Sequence, residues 1–353
     1  MEKFVITILS LSILILTNAS VCDRNSSIWK LPPHTNNICQ KEMRNPYWIN
    51  QSYSAEVRCP KTEASYYIQW SCHDRQDQES YFQMNEDYEL FTKFNATQFL
   101  YGLKQHAATL IFVGDSISQE MYYNLACIVE SDEESLLPAF HETVFYFRSN
   151  LLTTINPKYY IYDIANNATE IQNDEWIRSI ESLSSKNKIV VINVGAWFLP
   201  ERIWHKNSTT FIRPDTNEVI AVYESHFVED SPLSNALQHL MNNHGVTVIW
   251  RDTTPGGICG DKGELITSWT HYYKYFHEFN IIAKSFVQRI GGFHLPLIWE
   301  ASKSRWKTHI MGEKNDFLHY CLFKSSTVPW MWDTVLFNYL EKKIYKESCL
   351  KWI

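Results

Sequence analysis

Three short runs of unbroken apolar residues punctuate the chain: 109–113 (TLIFV), 189–194 (IVVINV) and 245–250 (GVTVIW). Runs of this length, rich in β-branched residues, predict strands buried on both faces, as in the parallel sheet of an α/β protein. Between the runs the period lengthens. Met121, Leu125, Ile128 and Val129 fall on one helical face after the first run, and Trp332, Val335, Leu336, Tyr339 and Leu340 repeat the pattern near the end. Strands alternating with helices imply right-handed crossovers and a mostly parallel sheet. Residues 101–353 are expected to form this unit. Residues 21–100 are polar, carry four cysteines and show little periodicity, which predicts a disulfide-bearing N-terminal subdomain built mainly of loops.

The first twenty residues place the chain in a cell compartment. One Lys, an apolar run from Phe4 to Leu16, then small and polar residues form a signal peptide pattern over 1–20, with cleavage near Ala19 or Ser20. The run is shorter than the roughly 20 residues of a membrane span, which argues against an uncleaved anchor. Behind it lie Cys22, Cys39, Cys59, Cys72, Cys127, Cys259, Cys321 and Cys349, an even set that predicts disulfides of undetermined connectivity. No pair has CxxC spacing, so the cysteines are not expected to hold zinc, and the sequence assigns no metal ligand. Asn25, Asn50, Asn95, Asn167 and Asn207 each begin a glycosylation triplet. Together these features predict the secretory pathway, secreted or in the Golgi lumen.

The net charge of −7 argues against a nucleic-acid partner, since phosphate binding needs clustered Lys and Arg. The 13 Trp, 20 Tyr and 19 Phe serve either an aromatic core or a cleft for sugar rings, Trp197, Trp330 and Trp332 being candidates for the latter.

Two short motifs can carry chemistry. Val113-Gly114-Asp115-Ser116 joins a predicted strand to a predicted helix. A serine there lies beyond the carboxyl end of a strand and at a helix N-terminus, where negative charge is favoured. Helix capping by Asp115 and Ser116 is the alternative. Asp316-Phe317-Leu318-His319 precedes the last amphipathic segment. An Asp three residues before a His can orient the imidazole for proton transfer, or the two can form a solvated loop pair.

The GDS with a late DxxH resembles the SGNH/GDSL hydrolase superfamily, and more closely the trichome-birefringence-like and PC-esterase group of polysaccharide O-acetyltransferases. The likeness extends through 112–117 with Cys127, through 143–149, and through Asn193-Val194-Gly195-Ala196-Trp197-Phe198. It continues in Trp250-Arg251-Asp252-Thr253-Thr254-Pro255 with Gly256-Gly257-Ile258-Cys259, and in 316–321 with Pro329 and Trp332. Trp70-Ser71-Cys72 is similar to the group's N-terminal part. Two positions depart from the plant-type pattern: Gln119 stands where an Arg is usual, and Phe317 where a Cys is usual. The resemblance implies a three-layer SGNH-like α/β fold without a bound cofactor, an acetyl donor of unspecified identity and a polysaccharide or glycan partner. It implies O-acetyl transfer, or ester hydrolysis by the same groups, with an inactive glycan-binding protein as a third alternative. It assigns Ser116 as nucleophile, His319 as base and Asp316 as its carboxylate. Gly114, Asp115, Asn193, Gly195, Arg251 and Gln119 are the candidates for oxyanion and substrate contacts. A strand-end turn for Asn193 and Gly195, an ion pair for Arg251 and simple solvent exposure for Gln119 are the competing readings.

Overall fold

The structure is a computed structural model that describes residues 48–51, 81–84, 94–153, 158–163, 168–169, 174–205, 215–255, 270–302, 318–320 and 328–345. In chain order its elements are β1 (Trp48–Gln51), β2 (Tyr81–Met84), α1 (Ala96–Gln105), β3 (Ala108–Gly114), α2 (Ser116–Asp132), α3 (Leu137–Thr143) and β4 (Val144–Arg148). There follow β5 (Tyr159–Asp163), β6 (Ala168–Thr169), α4 (Glu175–Ser182), β7 (Asn187–Asn193), β8 (Ile203–His205), α5 (Thr216–Glu224), α6 (Pro232–His244) and β9 (Val246–Arg251). The chain closes with α7 (Thr270–Arg289), β10 (Phe293–Leu295), α8 (Ile298–Ser302) and α9 (Val328–Tyr339). Residues 1–20 lie outside the described residues. So do Asp316, Asn25, Asn167, Asn207 and every cysteine except Cys127.

The three apolar runs are β3, β7 and β9, and they form the middle of a five-stranded parallel sheet in the order β10-β9-β7-β3-β4. Side chains alternate between its faces, as a pleated strand requires. Leu110, Phe112, Ile189, Val191 and Ile249 enter one core with α1, α2, α3 and α9. Ile111, Val113, Val190, Ile192, Val248 and Trp250 enter a second core with α4, α5, α6 and α7. The result is three layers, helices on both faces of a sheet. β5, β6 and β8 make a small antiparallel sheet, and β1 pairs with β2.

Helix α2 buries the face that its spacing predicted: Met121, Leu125, Ile128 and Val129 are all buried. Each such side chain contributes about 1.5–3 kcal/mol relative to exposure. Helix α9 is a different case. Its apolar positions are buried as expected, but so are Asp333, Thr334 and Asn338 on its polar side. It is an interior helix, not an amphipathic surface one. The boundary expected at residue 100 falls inside α1, whose Phe99 and Leu103 pack with Leu110 and Phe112.

The strand order has one consequence for function. From β3 the chain moves outward to β4, then crosses back to place β7 on the other side of β3. The crevice at the carboxyl ends of β3 and β7 is therefore a topological switch point, where open α/β sheets bind ligands.

Candidate active site

Gly114 ends β3 in register with Asn193 at the end of β7, so the GDS turn and the Asn-x-Gly block meet at this crevice. Gly114 has φ 154°, and a Cβ on it would collide with the Asn193 carbonyl oxygen and Ser118 Oγ. Only glycine allows the approach. Asp115 is the N-cap of α2, its Oδ1 accepting from the Ile117 N–H at 3.0 Å. It is fully buried, and burial pushes its carboxyl up against the opposing pull of Arg251, the Ile117 N–H, His319 and the Ser118 N–H. Asp115 thus caps the helix, as one reading of the sequence held, and Ser116 is left as the first residue of α2. Ser116 is half-buried at the N-terminus of a helix 17 residues long. Tyr146 from β4 braces the turn, its hydroxyl donating to the Gly114 and Asp115 carbonyls at 3.2 and 3.3 Å.

The DxxH segment reaches the same helix. Tyr320 N–H donates to Glu120 Oε1 at 2.7 Å, a bond spanning 200 positions, and both residues are buried. Glu120 lies one turn beyond Ser116, so the bond holds the residue after His319 against the start of α2. His319 is half-buried, and it lies close enough to Asp115 to favour that residue's charged form. Asp316, the third member of the expected triad, lies outside the described residues.

Several lining candidates turn out to support the crevice from beneath. Arg251 has no exposed surface. Its guanidinium donates to Asn193 Oδ1 at 2.8 Å, to the Asp252 carbonyl at 3.0 Å and to Ser118 Oγ at 3.4 Å, and it lies 5.3 Å from the Trp332 ring centre. Desolvation lowers its pKa to about 10, so it stays cationic at neutral pH, opposed by Asp115, Glu120, Asp252 and Asp333. Of the two readings that the sequence left open for Arg251, the buried side chain fits the structural one, a brace that points into the core. Asn193 is equally committed: its Nδ2 donates to the Arg251 carbonyl at 2.8 Å and to Thr253 Oγ1 at 3.0 Å. With Oδ1 held by Arg251, its amide has no hydrogen turned toward the crevice. Gly195 allows the close approach of Thr253, whose Oγ1 a Cβ would strike. Gln119 donates its amide to Tyr123 Oη at 3.0 Å along its own helix.

Two of the three Trp candidates take the core role that the sequence also allowed. Trp332 is buried with its Nε1 donating to Ser302 Oγ at 3.0 Å, and Trp197 is buried under the Arg202 guanidinium at 4.2 Å. Trp330 is half-buried against the core.

Three features of this region had no sequence signal strong enough to find them. Glu120 anchors the His319 segment. Asp333 Oδ2 accepts from Asn124 Nδ2 at 2.7 Å, joining α9 to α2. Asp252, just after β9, and His294, within β10, form an Asp–His pair at 2.7 Å. Their separations of 42 to 209 positions leave no local pattern.

Residues 91–262 match the family model described as PC-Esterase, the GDSL/SGNH-like acyl-esterase family found in Pmr5 and Cas1p. The match takes in the GDS, Asn-x-Gly and Gly-Gly-x-Cys blocks and stops short of Asp316 and His319. Among solved structures, a Bacteroides fragilis protein provisionally named an acylhydrolase is similar at 12% identity, covering 72% of this chain and 99% of that one, with a TM-score of 0.32. No curated protein matches.

Proposed function

From the premise that residues 91–262 are a PC-esterase segment, we propose that the chain transfers an acetyl group to a hydroxyl of a polysaccharide or glycan through an acyl-serine. The observation that carries this reading is the position of Ser116: half-buried, first in α2, at the switch-point crevice, with the His319 segment pinned to the same helix. In the first step Ser116 Oγ attacks the ester carbonyl, and its proton passes to His319. The carbonyl oxygen takes the negative charge, and the Ser116 N–H at the helix N-terminus lies where such charge is stabilised, with the Gly195 N–H as a second candidate donor. The tetrahedral centre collapses, the donor's leaving oxygen takes the proton from His319, and the acetyl group stays on Ser116. A sugar hydroxyl then gives its proton to His319 and attacks the acyl carbon; the second tetrahedral centre expels Ser116 Oγ, which takes the proton back from His319, and the sugar leaves as its acetate ester. Asp316 is assigned to orient the imidazole.

Hydrolysis is the second reading, favoured by the family's description as acyl-esterases. Water in place of the sugar hydroxyl gives free acetate by the same groups. The two divide on water exclusion and acceptor positioning, not on the triad. The disulfide at Cys127 supports passage through an oxidising secretory lumen.

The test has two arms. A serine-reactive probe should label Ser116, and Ser116→Ala should abolish both labelling and turnover. An acetyl ester donor supplied with a panel of glycans should then yield acetylated sugar in excess of free acetate. Acetate release dominating with every acceptor would make the protein an esterase, and labelling elsewhere would remove Ser116 from the chemistry.

A further inference from the structure

At the other end of the sheet, α4 and α6 bring together Glu181, His239 and His244, whose ligand atoms all lie within 4.8 Å of one another. We propose that these three side chains form a binding site for a divalent transition-metal ion of the zinc class, separate from the chemistry at Ser116.

The distances suit an ion. Glu181 Oε1 lies 3.0 Å from His239 Nε2 and 3.9 Å from His244 Nε2. Ligand atoms bound at about 2.0–2.1 Å around a tetrahedral ion sit roughly 3.3–3.4 Å apart, a separation that these two values bracket. Two imidazoles and one carboxylate also make a donor set that zinc, cobalt and nickel accept, whereas magnesium and calcium prefer oxygen alone. The side chains are 48%, 28% and 30% exposed for His239, His244 and Glu181, leaving room for entry and for a water as fourth ligand.

The surroundings fix the ligands in place. His244 is the last residue of α6, which ends at Gly245 in the left-handed conformation, and Lys188 Nζ meets the His244 carbonyl at 3.5 Å. Asn243 Nδ2 lies 2.9 Å from His239 Nδ1. Without an ion, His239 Nε2–H donates to Glu181 and its Nδ1 accepts from Asn243. With an ion on Nε2, the proton moves to Nδ1, and the Asn243 amide turns over to accept it with Oδ1. That is the outer partner a metal-bound histidine ordinarily keeps.

Position argues for a structural ion. His244 precedes the amino end of β9 and Glu181 precedes that of β7, while Ser116 follows the carboxyl end of β3 in the same parallel sheet. The length of a seven-residue strand, roughly 20 Å, separates the two regions. An ion here ties α4 to α6 in the folded state and so raises stability with its concentration.

The experiment uses the purified full chain without a polyhistidine tag, stripped with a chelator and titrated with ZnCl2 and, separately, MgCl2. Zinc should bind one ion per chain and raise Tm, and magnesium should do neither. CoCl2 should give the intense visible bands of a four-coordinate centre. His239→Ala with His244→Ala should lose the zinc-dependent Tm rise and the cobalt bands, while hydrolysis of a small acyl ester stays at the wild-type rate. Glu181→Gln should weaken zinc binding at least tenfold. An equal zinc response in the double variant, absence of zinc binding, or only the weak bands of six-coordinate cobalt would overturn the proposal. The wild-type cobalt spectrum decides even if the double variant does not fold.

Discussion

Arg251 closes a strand with a cation that no solvent reaches, and its value lies in what it leaves compensated. Removing it leaves the buried Asp115 without the opposing charge that Arg251 supplies and leaves Asn193 Oδ1 without its donor. Arg251→Ala should therefore cost about 3–5 kcal/mol, the range for breaking a buried ionic partner, with activity falling as the fold weakens. Urea denaturation checks it. An unchanged midpoint with a raised KM would instead return Arg251 to the substrate. Asn95 offers a second test at one side chain. Its Oδ1 caps α1 by accepting from the Gln98 N–H at 2.7 Å, while its Nδ2 is the atom to which a glycan would attach. The two roles use different atoms, so they are compatible. Asn95→Asp should lose a glycan's mass and keep the cap, whereas Asn95→Ala should lose both and about 1 kcal/mol of stability. Intact-mass measurement beside thermal melting separates them, and equal masses for wild type and Asn95→Asp would show that the triplet is not used.

The second turn of α2 is where the two halves of the proposed machinery are joined. Glu120 accepts from Tyr320 N–H, so the carboxylate holds the residue next to His319 against the helix that begins with Ser116. Without that bond the histidine segment loses its anchor, and a displacement near 1 Å suffices to cost about 100-fold in rate. Glu120→Ala should lower kcat about 10–100-fold with little change in KM. Glu120→Gln keeps a carbonyl oxygen in the same place and should recover most of the loss. Steady-state kinetics with the rate of Ser116 labelling decides it, and equal defects in the two variants would mean that charge, not positioning, is what Glu120 supplies. Why α2 was readable and Glu120 was not is a matter of what periodicity records. Apolar spacing placed Met121, Leu125, Ile128 and Val129 on the core face, because their burial depends on neighbours along the helix. Glu120 is as buried as they are, yet its partner comes from the far end of the chain. The same holds for α9, where Asp333 reads as a solvent-facing residue until Asn124 is seen to cover it.

At the scale of the molecule, the three apolar runs were legible as a parallel sheet because each strand is buried on both faces. Their order was not, since nothing in a strand states its neighbours. β10, with three residues, had no run to mark it. The order nevertheless determines where Ser116 sits, and it also creates the polar layer beneath the crevice, where Asp115, Glu120, Asp333 and Arg251 are all buried. That layer links stability to pH. Burial raises the Asp333 carboxyl well above the ordinary aspartate value, with the Asn124 bond and Arg251 pulling the other way. Between the unfolded value, about 3.9, and the raised folded value the folded state holds the proton more tightly. The contribution is therefore fully present below about pH 3.9 and is lost as pH rises through the folded pKa. Asp333→Asn keeps an oxygen for Asn124 and has no proton to lose, so it should remove this slope. Wild type and variant should denature at similar urea concentrations near pH 4, and the variant should be more stable at pH 7.5, by on the order of 1 kcal/mol or more. A variant that is less stable than wild type at pH 7.5 would show Asp333 to be ionised and paired with Arg251, with the layer then held by charge and not by a neutral acid.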